Sequence, residues 1–303
     1  MSRASAEDVL AAKLFMRAAF PVMRIPLEED PKMVKKFEKV NTIVEFTADD
    51  EENPLACHII FLTQEKADLL YEGKRFKVVQ KAYAEVAEGW EDIPVMRFHF
   101  KTIKSFLGVL KGNNPTEMLG ILPPVMKNLF KPACLSFIGL LLSLTKMMPN
   151  FQPGEDKPFQ QYLKVKMSLY LITTAMSVAT KLGWKPLVDW TARQTDRVYQ
   201  FHVGPTFDKD GKEIYPEIGA YLRVKYGNTK GGRGIYTRKS PFVLFEFPNP
   251  NATLQLLSGK YTFVSTVEKG FVTIIGAGDS YAVTFNDLMT KVQNMLIPSK
   301  FVG

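Results

Sequence analysis

Residues able to carry chemistry are few and scattered in this sequence. The three histidines, His58, His99 and His202, lie in predicted strands, and none has a Cys, Asp or Glu at metal-ligand spacing. Acidic residues at 49–52 fall in a predicted turn, where solvation by water is their default role. No nucleophile elbow, zinc-protease, P-loop or redox-dithiol motif occurs. The sequence favours a non-catalytic protein without cofactor or metal, although a site assembled from distant residues stays open.

Two short motifs begin like known sites and then depart from them. Asp-Lys-Asp-Gly at 208–211 starts like a calcium loop, but the further ligands and the terminal Glu are missing. It predicts a hairpin turn. Gly-Ala-Gly at 276–278 resembles a nucleotide-binding turn, but the third glycine and the surrounding βαβ alternation are absent. Asp279, which follows, fits better as a helix N-cap.

Composition and cysteine usage point to a cytoplasmic protein. The chain is 46% hydrophobic and 23% charged, as in soluble globular proteins. Cys57 and Cys134 stand in apolar surroundings without paired spacing, which predicts buried, reduced thiols. The first residues lack a secretory pattern. The most apolar run, residues 132–145, is shorter than the roughly 20 residues of a transmembrane helix, so we expect a buried helix there.

The net charge of +8 is concentrated in the second half, where residues 218–245 include no acid. A glycine-rich stretch at 227–234 predicts a basic hairpin loop. Such a loop suits an anionic membrane surface, a phosphate, or an acidic partner enzyme, and a mobile solvated loop is the alternative. Nucleic acid is disfavoured because no recognised motif accompanies the charge. The candidate anion- or partner-binding residues are Arg223, Lys225, Lys230, Arg233, Arg238 and Lys239.

An internal repeat organises the chain. Aligning Phe98 with Phe245 brings further identities into register, namely Phe100 with Phe247, Leu107 with Leu254, Leu110 with Leu257, and Gly112 with Gly259. Each copy reads as a Phe-x-Phe strand, a turn, and a short apolar helix that a glycine ends. We expect two domains, residues 1–150 and 151–303, joined by the polar linker 150–157.

The elements that must position these residues alternate between helix and strand. Residues 42–46 and 56–62 predict an antiparallel pair, and 95–100 predict a strand that leads into a helix at 105–110. A methionine-bearing helical region follows, up to Met148. Further helices are expected at 5–22, 31–40, 158–182, 252–257 and 280–295, and further strands at 198–203, 218–226, 241–247 and 271–275. The segment 65–87 is ambiguous between strand and helix; one interpretation has a strand at 76–79 and a helix at 82–87.

Two segments of the second half carry a resemblance to a known family. SPFVLFEFPNPNATLQLLSGK at 240–260 and GFVTIIGAGDSYAVTFNDLMTKV at 270–292 resemble the sterol carrier protein type-two domain. The match follows that family's order of strand, short helix ending in Leu-Leu-x-Gly, strand, Gly-Asp turn and apolar helix. The first copy, FHFKTIKSFLGVLKG, keeps the first half of this order. It lacks the Gly-Asp turn and has Pro123 and Pro124 instead.

The resemblance implies an α+β fold of two sterol-carrier-like domains. Each would be a mostly antiparallel sheet, covered on one face by helices that enclose an apolar cavity. It also implies binding, with or without transfer, of a fatty acyl chain, acyl-CoA, sterol or similar compound. Burial of such a chain is worth roughly 0.8 kcal/mol per methylene. The alternative is an accessory module that presents an apolar substrate to a partner enzyme. A third reading has filled cores and a function at the surface between the domains.

The same resemblance supplies candidate wall residues. The 13 Met and 22 Phe suit an adaptable pocket or an ordinary core. The candidates in the second half are Phe245, Phe247, Leu254, Leu257, Val264, Val267, Phe271, Ile274, Val283, Leu288, Val292 and Met295. Their counterparts in the first half are Phe98, Phe100, Leu107, Leu110, Met118 and Leu119.

Overall fold

The computed structural model describes residues 4–49, 54–85, 89–112, 122–131 and 133–297. Its residues fall into two compact units. Unit 1 consists of Met1–Leu144 together with Met295–Gly303, and unit 2 consists of Thr145–Asn294. Met295, expected among the walls of the second domain, is therefore grouped with unit 1.

The N-terminal helices of unit 1 start at a complete capping box. The Ser5 hydroxyl accepts a hydrogen bond from the Asp8 backbone N–H, and the Asp8 carboxylate accepts one from the Ser5 backbone N–H. The predicted helices at 5–22 and 31–40 are confirmed, with a π-helical turn at Phe15–Ala19 inside the first. The elements are α1 Ala6–Leu14, α2 Phe20–Val22, α3 Arg24–Glu29 and α4 Pro31–Phe37.

The sheet of unit 1 has four strands in the order β3-β2-β1-β4. Its strands are β1 Thr42–Ala48, β2 Leu55–Phe61, β3 Phe76–Val79 and β4 Val95–Phe100, and helix α5 Gln64–Leu70 lies between β2 and β3 in sequence. β1 and β4 pair in parallel, whereas β1–β2 and β2–β3 are antiparallel. Three helices follow, α6 Ile103–Lys111, α7 Leu122–Asn128 and α8 Cys134–Ser143.

Both faces of this sheet are covered. On one face, Phe46 of β1 lies against Phe20, Phe106 and Phe137 from α2, α6 and α8, with ring centroids 5.0–6.2 Å apart. The other face carries a smaller cluster of buried residues, made up of Ile43, Ile60, Leu62, Ala67, Tyr83 and Ile93. The family resemblance implied helices on one face only; the second cluster arises because α5 and the segment after β3 also bury apolar side chains.

Unit 2 contains a five-stranded sheet in the order β11-β10-β5-β8-β9, with a short separate β6–β7 hairpin at the Asp-Lys-Asp-Gly turn. Only β5–β10 is parallel among the pairings described for this sheet. The strands are β5 Arg197–Val203, β6 Thr206–Phe207, β7 Glu213–Tyr215, β8 Ile218–Lys225, β9 Asn228–Arg233, β10 Val243–Phe247 and β11 Thr273–Gly276. The helices are α9 Pro158–Lys181, α10 Lys185–Ala192, α11 Pro250–Leu257, α12 Phe263–Glu268 and α13 Asp279–Asn294.

The glycine-rich segment predicted as a loop is the edge strand β9. A Cβ on Gly231 would lie 2.6 Å from the carbonyl oxygen of Thr173 in α9, so only glycine lets this helix approach the strand. The Ser177 hydroxyl donates to the carbonyl of Thr229, whose own hydroxyl donates back to the carbonyl of Ser177. The glycines therefore serve close helix–strand packing, and the loop prediction was wrong.

The two sheets share a local arrangement around their parallel strand pairs. Phe46 stacks on Phe98 at 5.2 Å in unit 1, and Phe201 stacks on Phe245 at 4.9 Å in unit 2. Each parallel strand leads into a helix that a polar residue caps and a left-handed glycine follows. The caps are Thr102 and Asn249, and the glycines are Gly112 and Gly259, with φ of 61° and 68°.

Candidate apolar site

Aromatic side chains face the inner surface of the sheet in unit 2. Phe285 of α13 lies 5.5 Å from Phe245 and 5.9 Å from Phe201 between ring centroids. Tyr199 stacks on the other side of Phe285 at 4.6 Å. All four side chains are buried. The alternating residues of β5 and β10 thus place their rings together under one helix, as the Phe-x-Phe pattern predicted for β10.

Helix α12 covers one edge of this aromatic cluster. The ring of Phe263 lies 6.1 Å from that of Phe245, and the helix packs against α11. Thr266 is the buried residue of α12, whereas Val264 is 55% exposed and Val267 is also exposed. Since so little of α12 is buried, we expect it to separate from the sheet more readily than α9 or α13.

The structure sorts the candidate wall residues of the second half by burial. Phe245, Phe247, Leu254, Leu257, Leu288 and Val292 are buried within unit 2. Phe271 and Ile274 are half-buried, and Ile274 is directly paired with Phe245 across β10 and β11. Val264, Val267 and Val283 are exposed, which differs from the expected interior wall. These three valines lie on the exposed faces of α12 and α13, whereas Thr266, Ala282 and Phe285 lie on the buried faces of the same helices.

The counterpart in unit 1 is filled by further rings. Phe98 lies 5.6 Å from Phe137, and Phe100 lies 5.5 Å from Phe106. Leu107 is buried and Leu110 is half-buried. The remaining two candidates, Met118 and Leu119, lie outside the described residues.

A polar anchor occurs beside each stacked phenylalanine pair, on the opposite face of the sheet. Glu45 accepts a hydrogen bond from the Tyr83 backbone N–H at 2.7 Å, and Gln200 accepts one from the Tyr236 backbone N–H at 2.9 Å. Both side chains are buried. Sequence reasoning missed them because a polar residue in an alternating strand predicts a solvent-facing position. The signal that could have identified them is a polar residue directly next to a buried phenylalanine in the same strand.

The predicted basic group divides into paired and exposed residues. Arg223 donates two hydrogen bonds to Asp196, at 2.8 and 2.6 Å, and the Lys239 ammonium lies 3.0 Å from the same carboxylate. Arg223 first, and Lys239 with it, hold the pKa of Asp196 well below its usual range. Arg233 lies over the ring of Tyr170. Of the remaining predicted residues, Lys225, Lys230 and Arg238 are exposed.

Buried titratable side chains belong to the packing of each unit. Cys57 and Cys134 are free and buried, as the sequence predicted. Burial raises the pKa of both thiols. Burial also raises the pKa of Tyr199 to about 12 and lowers that of His58, whose Nδ1 lies 2.8 Å from the Lys81 carbonyl oxygen. Burial lowers the pKa of Lys164 to about 8.

The described residues include neither a metal-binding cluster nor a membrane-spanning helix. Within that part of the chain, no group of three or more His, Cys, Asp or Glu side chains is arranged to hold a metal ion. No helix there combines the length and apolar character needed to cross a membrane.

Comparison with known proteins gives only distant structural likeness. No protein-family model matches the chain, and no curated protein matches it. Sterol carrier protein 2 from Yarrowia lipolytica, in its apo form, aligns with a TM-score of 0.32 and 15% identity over 42% of this chain and 93% of that protein.

Two structures of a sec-alkylsulfatase align less well. A double mutant of PisA1 has a TM-score of 0.23 and 11% identity over 60% of this chain, and Pisa1 from Pseudomonas sp. has 0.21 and 13% over 63%. The alignments span only 31% and 32% of those two proteins. With every TM-score at 0.32 or below, these likenesses carry no argument about this chain.

Proposed function

We propose that this protein binds a lipid-like apolar ligand in unit 2, between α12 and the stacked phenylalanines of β5 and β10. The observation that carries the proposal is the weak attachment of α12. It places one aromatic ring, Phe263, on Phe245 and leaves Val264 and Val267 exposed. An acyl chain or sterol that displaces Phe263 would meet apolar surface on the sheet without needing a polar partner.

The energetics of such an exchange favour a long ligand. Each methylene transferred from water contributes roughly 0.8 kcal/mol, so an acyl chain can offset the loss of one phenylalanine contact. Ile274 and Phe271 lie half-buried near this edge and would contact the ligand once α12 has moved. The buried rings of Phe201, Phe245 and Phe285 would remain as the floor.

We also infer that the two units are tandem copies of one domain. The stacked pairs, the polar anchors Glu45 and Gln200, and the caps Thr102 and Asn249 support this inference, since they recur at corresponding places. In unit 1 the rings of Phe106 and Phe137 occupy the space over Phe46, so we assign the ligand to unit 2 alone.

The test uses two neighbouring isoleucines of β11 as a matched pair. The delipidated full-length protein is titrated with oleate, cholesterol and oleoyl-CoA, and binding is followed by calorimetry. Ile274→Asn places a polar side chain opposite Phe245 and should weaken the binding of the preferred ligand at least about tenfold. Ile275→Asn changes the exposed neighbour on the other face of the strand and should leave binding unchanged.

Two results would contradict the proposal. One is the absence of binding for all three ligands, and the other is an equal loss in both variants when thermal unfolding shows both to be folded. Native mass spectrometry of the protein purified from its own host provides an independent measurement. A co-purifying apolar molecule would support the carrier function. An empty chain would favour the accessory-module alternative, for which exposed Lys225 and Lys230 at the β8–β9 hairpin offer a basic docking point.

A further inference from the structure

Helix α8 of unit 1 is apolar on two faces; one is buried and the other includes exposed leucines. Cys134, Phe137 and Leu140 are fully buried. Leu135 and Leu142, on the other side, are 69% and 52% exposed. A helix that is apolar all round is normally buried all round. The outer face of α8 therefore calls for an explanation that core packing does not supply.

The exposed apolar surface continues into α7 and the turn that follows it. Leu122 and Met126 of α7 are exposed, and Phe130, in the turn before α8, is 95% exposed. This segment is attached to the edge strand β4, because Asn128 donates to the Arg97 carbonyl and Lys131 donates to the Val95 carbonyl. We name the exposed set the α7–α8 patch; it consists of Leu122, Met126, Phe130, Leu135 and Leu142.

Helix α13 of unit 2 shows that the fold does not require such a surface. Phe285 of α13 contacts Phe201 and Phe245 at 5.9 and 5.5 Å, just as Phe137 of α8 contacts Phe46 and Phe98 at 5.9 and 5.6 Å. The two helices thus lie in the same place on their sheets. The outer face of α13 is mostly polar, with exposed residues that include Thr284, Asp287, Thr290 and Lys291. The exposed large apolar side chains of α13 are Tyr281 and Val283, at 38% and 37%, so its outer face is less apolar than that of α8.

Lysines are the charged residues in the segments that carry the α7–α8 patch. Residues 122–131 and 133–154 contain Lys127, Lys131 and Lys146 and no acid. Helix α4, which packs against α8, adds three lysines between the acidic residues Asp30 and Glu38 at its two ends, and its Lys36 ammonium lies 3.9 Å from the position that a Cβ on Gly139 would occupy. Large apolar side chains flanked by lysines are the pattern by which peripheral proteins bind an anionic lipid surface.

We propose that the α7–α8 patch docks unit 1 on the surface of an anionic lipid bilayer. Phe130, Leu135 and Met126 would enter the region between headgroups and acyl chains, and Lys36 and Lys127 would lie at the phosphates. A symmetric contact between two copies of this chain is disfavoured, because it would bring lysines of both copies together. The inference goes beyond ligand binding in unit 2 and does not depend on it.

The experiment measures vesicle binding by the intact protein. Vesicles of phosphatidylcholine, alone or with about 30% phosphatidylserine, are floated with the protein at low and at physiological salt. The protein should bind the anionic vesicles and bind the neutral ones far more weakly. The double substitution Phe130→Ser with Leu135→Ser leaves the net charge unchanged and should lower binding at least about tenfold.

Two further variants separate docking from simple attraction of a basic protein. Lys36→Glu with Lys127→Glu should weaken binding most strongly at low salt. Leu69→Ser is the control, since Leu69 is a leucine of comparable exposure, 75%, that lies outside the patch, on α5 at the opposite face of the same sheet. It should bind like the unchanged protein.

Three outcomes would overturn the proposal. The first is no binding to either kind of vesicle. The second is binding that Phe130→Ser with Leu135→Ser leaves unaltered, or that Leu69→Ser weakens as much. The third is a dimer, measured by light scattering, that these two serine substitutions dissociate without any vesicle binding; the patch would then join copies of the chain. None of these assays involves ligand uptake, so their failure is distinct from failure of the ligand site.

Discussion

Lys164 is a buried lysine, whereas lysine side chains are usually exposed to solvent. Its side chain is only 1% exposed, in the middle of a helix that covers the sheet of unit 2. The ammonium donates hydrogen bonds to the carbonyls of Met148, at 3.0 Å, and Phe151, and these carbonyls stabilise the charged form. Burial acts in the other direction and lowers the pKa to about 8.

The stability of the protein should therefore rise with pH on account of Lys164. Its ordinary pKa is 10.5, so between about pH 8 and 10.5 the unfolded chain holds a proton that the folded chain has released. Relative to Lys164→Met, the free energy of unfolding of the unchanged protein should increase by up to about 3 kcal/mol across this window. Urea unfolding at several pH values measures the difference.

Lys185→Met is the control for this measurement. Lys185 is exposed and forms an ion pair with Asp189 on the surface of α10. The free energy of unfolding of this variant should follow that of the unchanged protein at a constant separation. A constant separation for Lys164→Met as well would show that burial does not alter the titration of Lys164.

At the scale of elements, the contact between α9 and β9 depends on a residue without a side chain. We expect Gly231→Ala to lower the free energy of unfolding by about 1–3 kcal/mol, because the added methyl group meets the backbone of Thr173 and has no room to move. Gly278→Ala is the matched control, since nothing lies within 4 Å of its added Cβ. Equal stability of the two variants in denaturant unfolding would contradict the close approach.

Patterns with a strong period were sufficient to predict several elements. The strand at 95–100 has the predicted bounds, because an alternating apolar strand specifies its own buried face. The helix predicted at 158–182 ends one residue early, at Lys181. These features are local in the sequence, so local reasoning reaches them.

Features that depend on distant partners could not be predicted in this way. The glycines of β9 indicated a loop because the helix they admit lies far away in the sequence. Glu45 and Gln200 were not identified as buried anchors because the segments that cross over them could not be located from the sequence. The exposed edge at α12 and the α7–α8 patch could not be predicted for the same reason. Periodicity shows that a helix is apolar, but it does not show which face of the helix the sheet leaves exposed.

At the scale of the whole molecule, one of the two units is discontinuous in sequence. Residues 295–303 belong to unit 1, although they come after unit 2 in sequence, and Met295, Leu296 and Ile297 are buried. Ending the chain at Asn294 should therefore destabilise unit 1, by about 1.5–3 kcal/mol for each buried side chain removed. Hydrogen exchange should accelerate in β1, β2 and β4.

Ending the chain at Ile297 instead keeps these three side chains and serves as the control. It should leave exchange in β1, β2 and β4 close to that of the full chain. Faster exchange confined to β5, β8 and β10 in the shorter truncation would contradict the assignment of the C-terminal residues to unit 1.

Unit 1 is formed from two separate stretches of the chain, so its last residues are synthesised after the whole of unit 2. At about 5–20 residues per second, roughly 10–30 s pass between synthesis of α8 and synthesis of the last residues of unit 1. Unit 2 is one continuous stretch, so all of its residues emerge before unit 1 is complete. Until residues 295–297 are synthesised, unit 1 lacks three of its buried apolar side chains, so we expect it to be the part of the nascent chain that engages a chaperone.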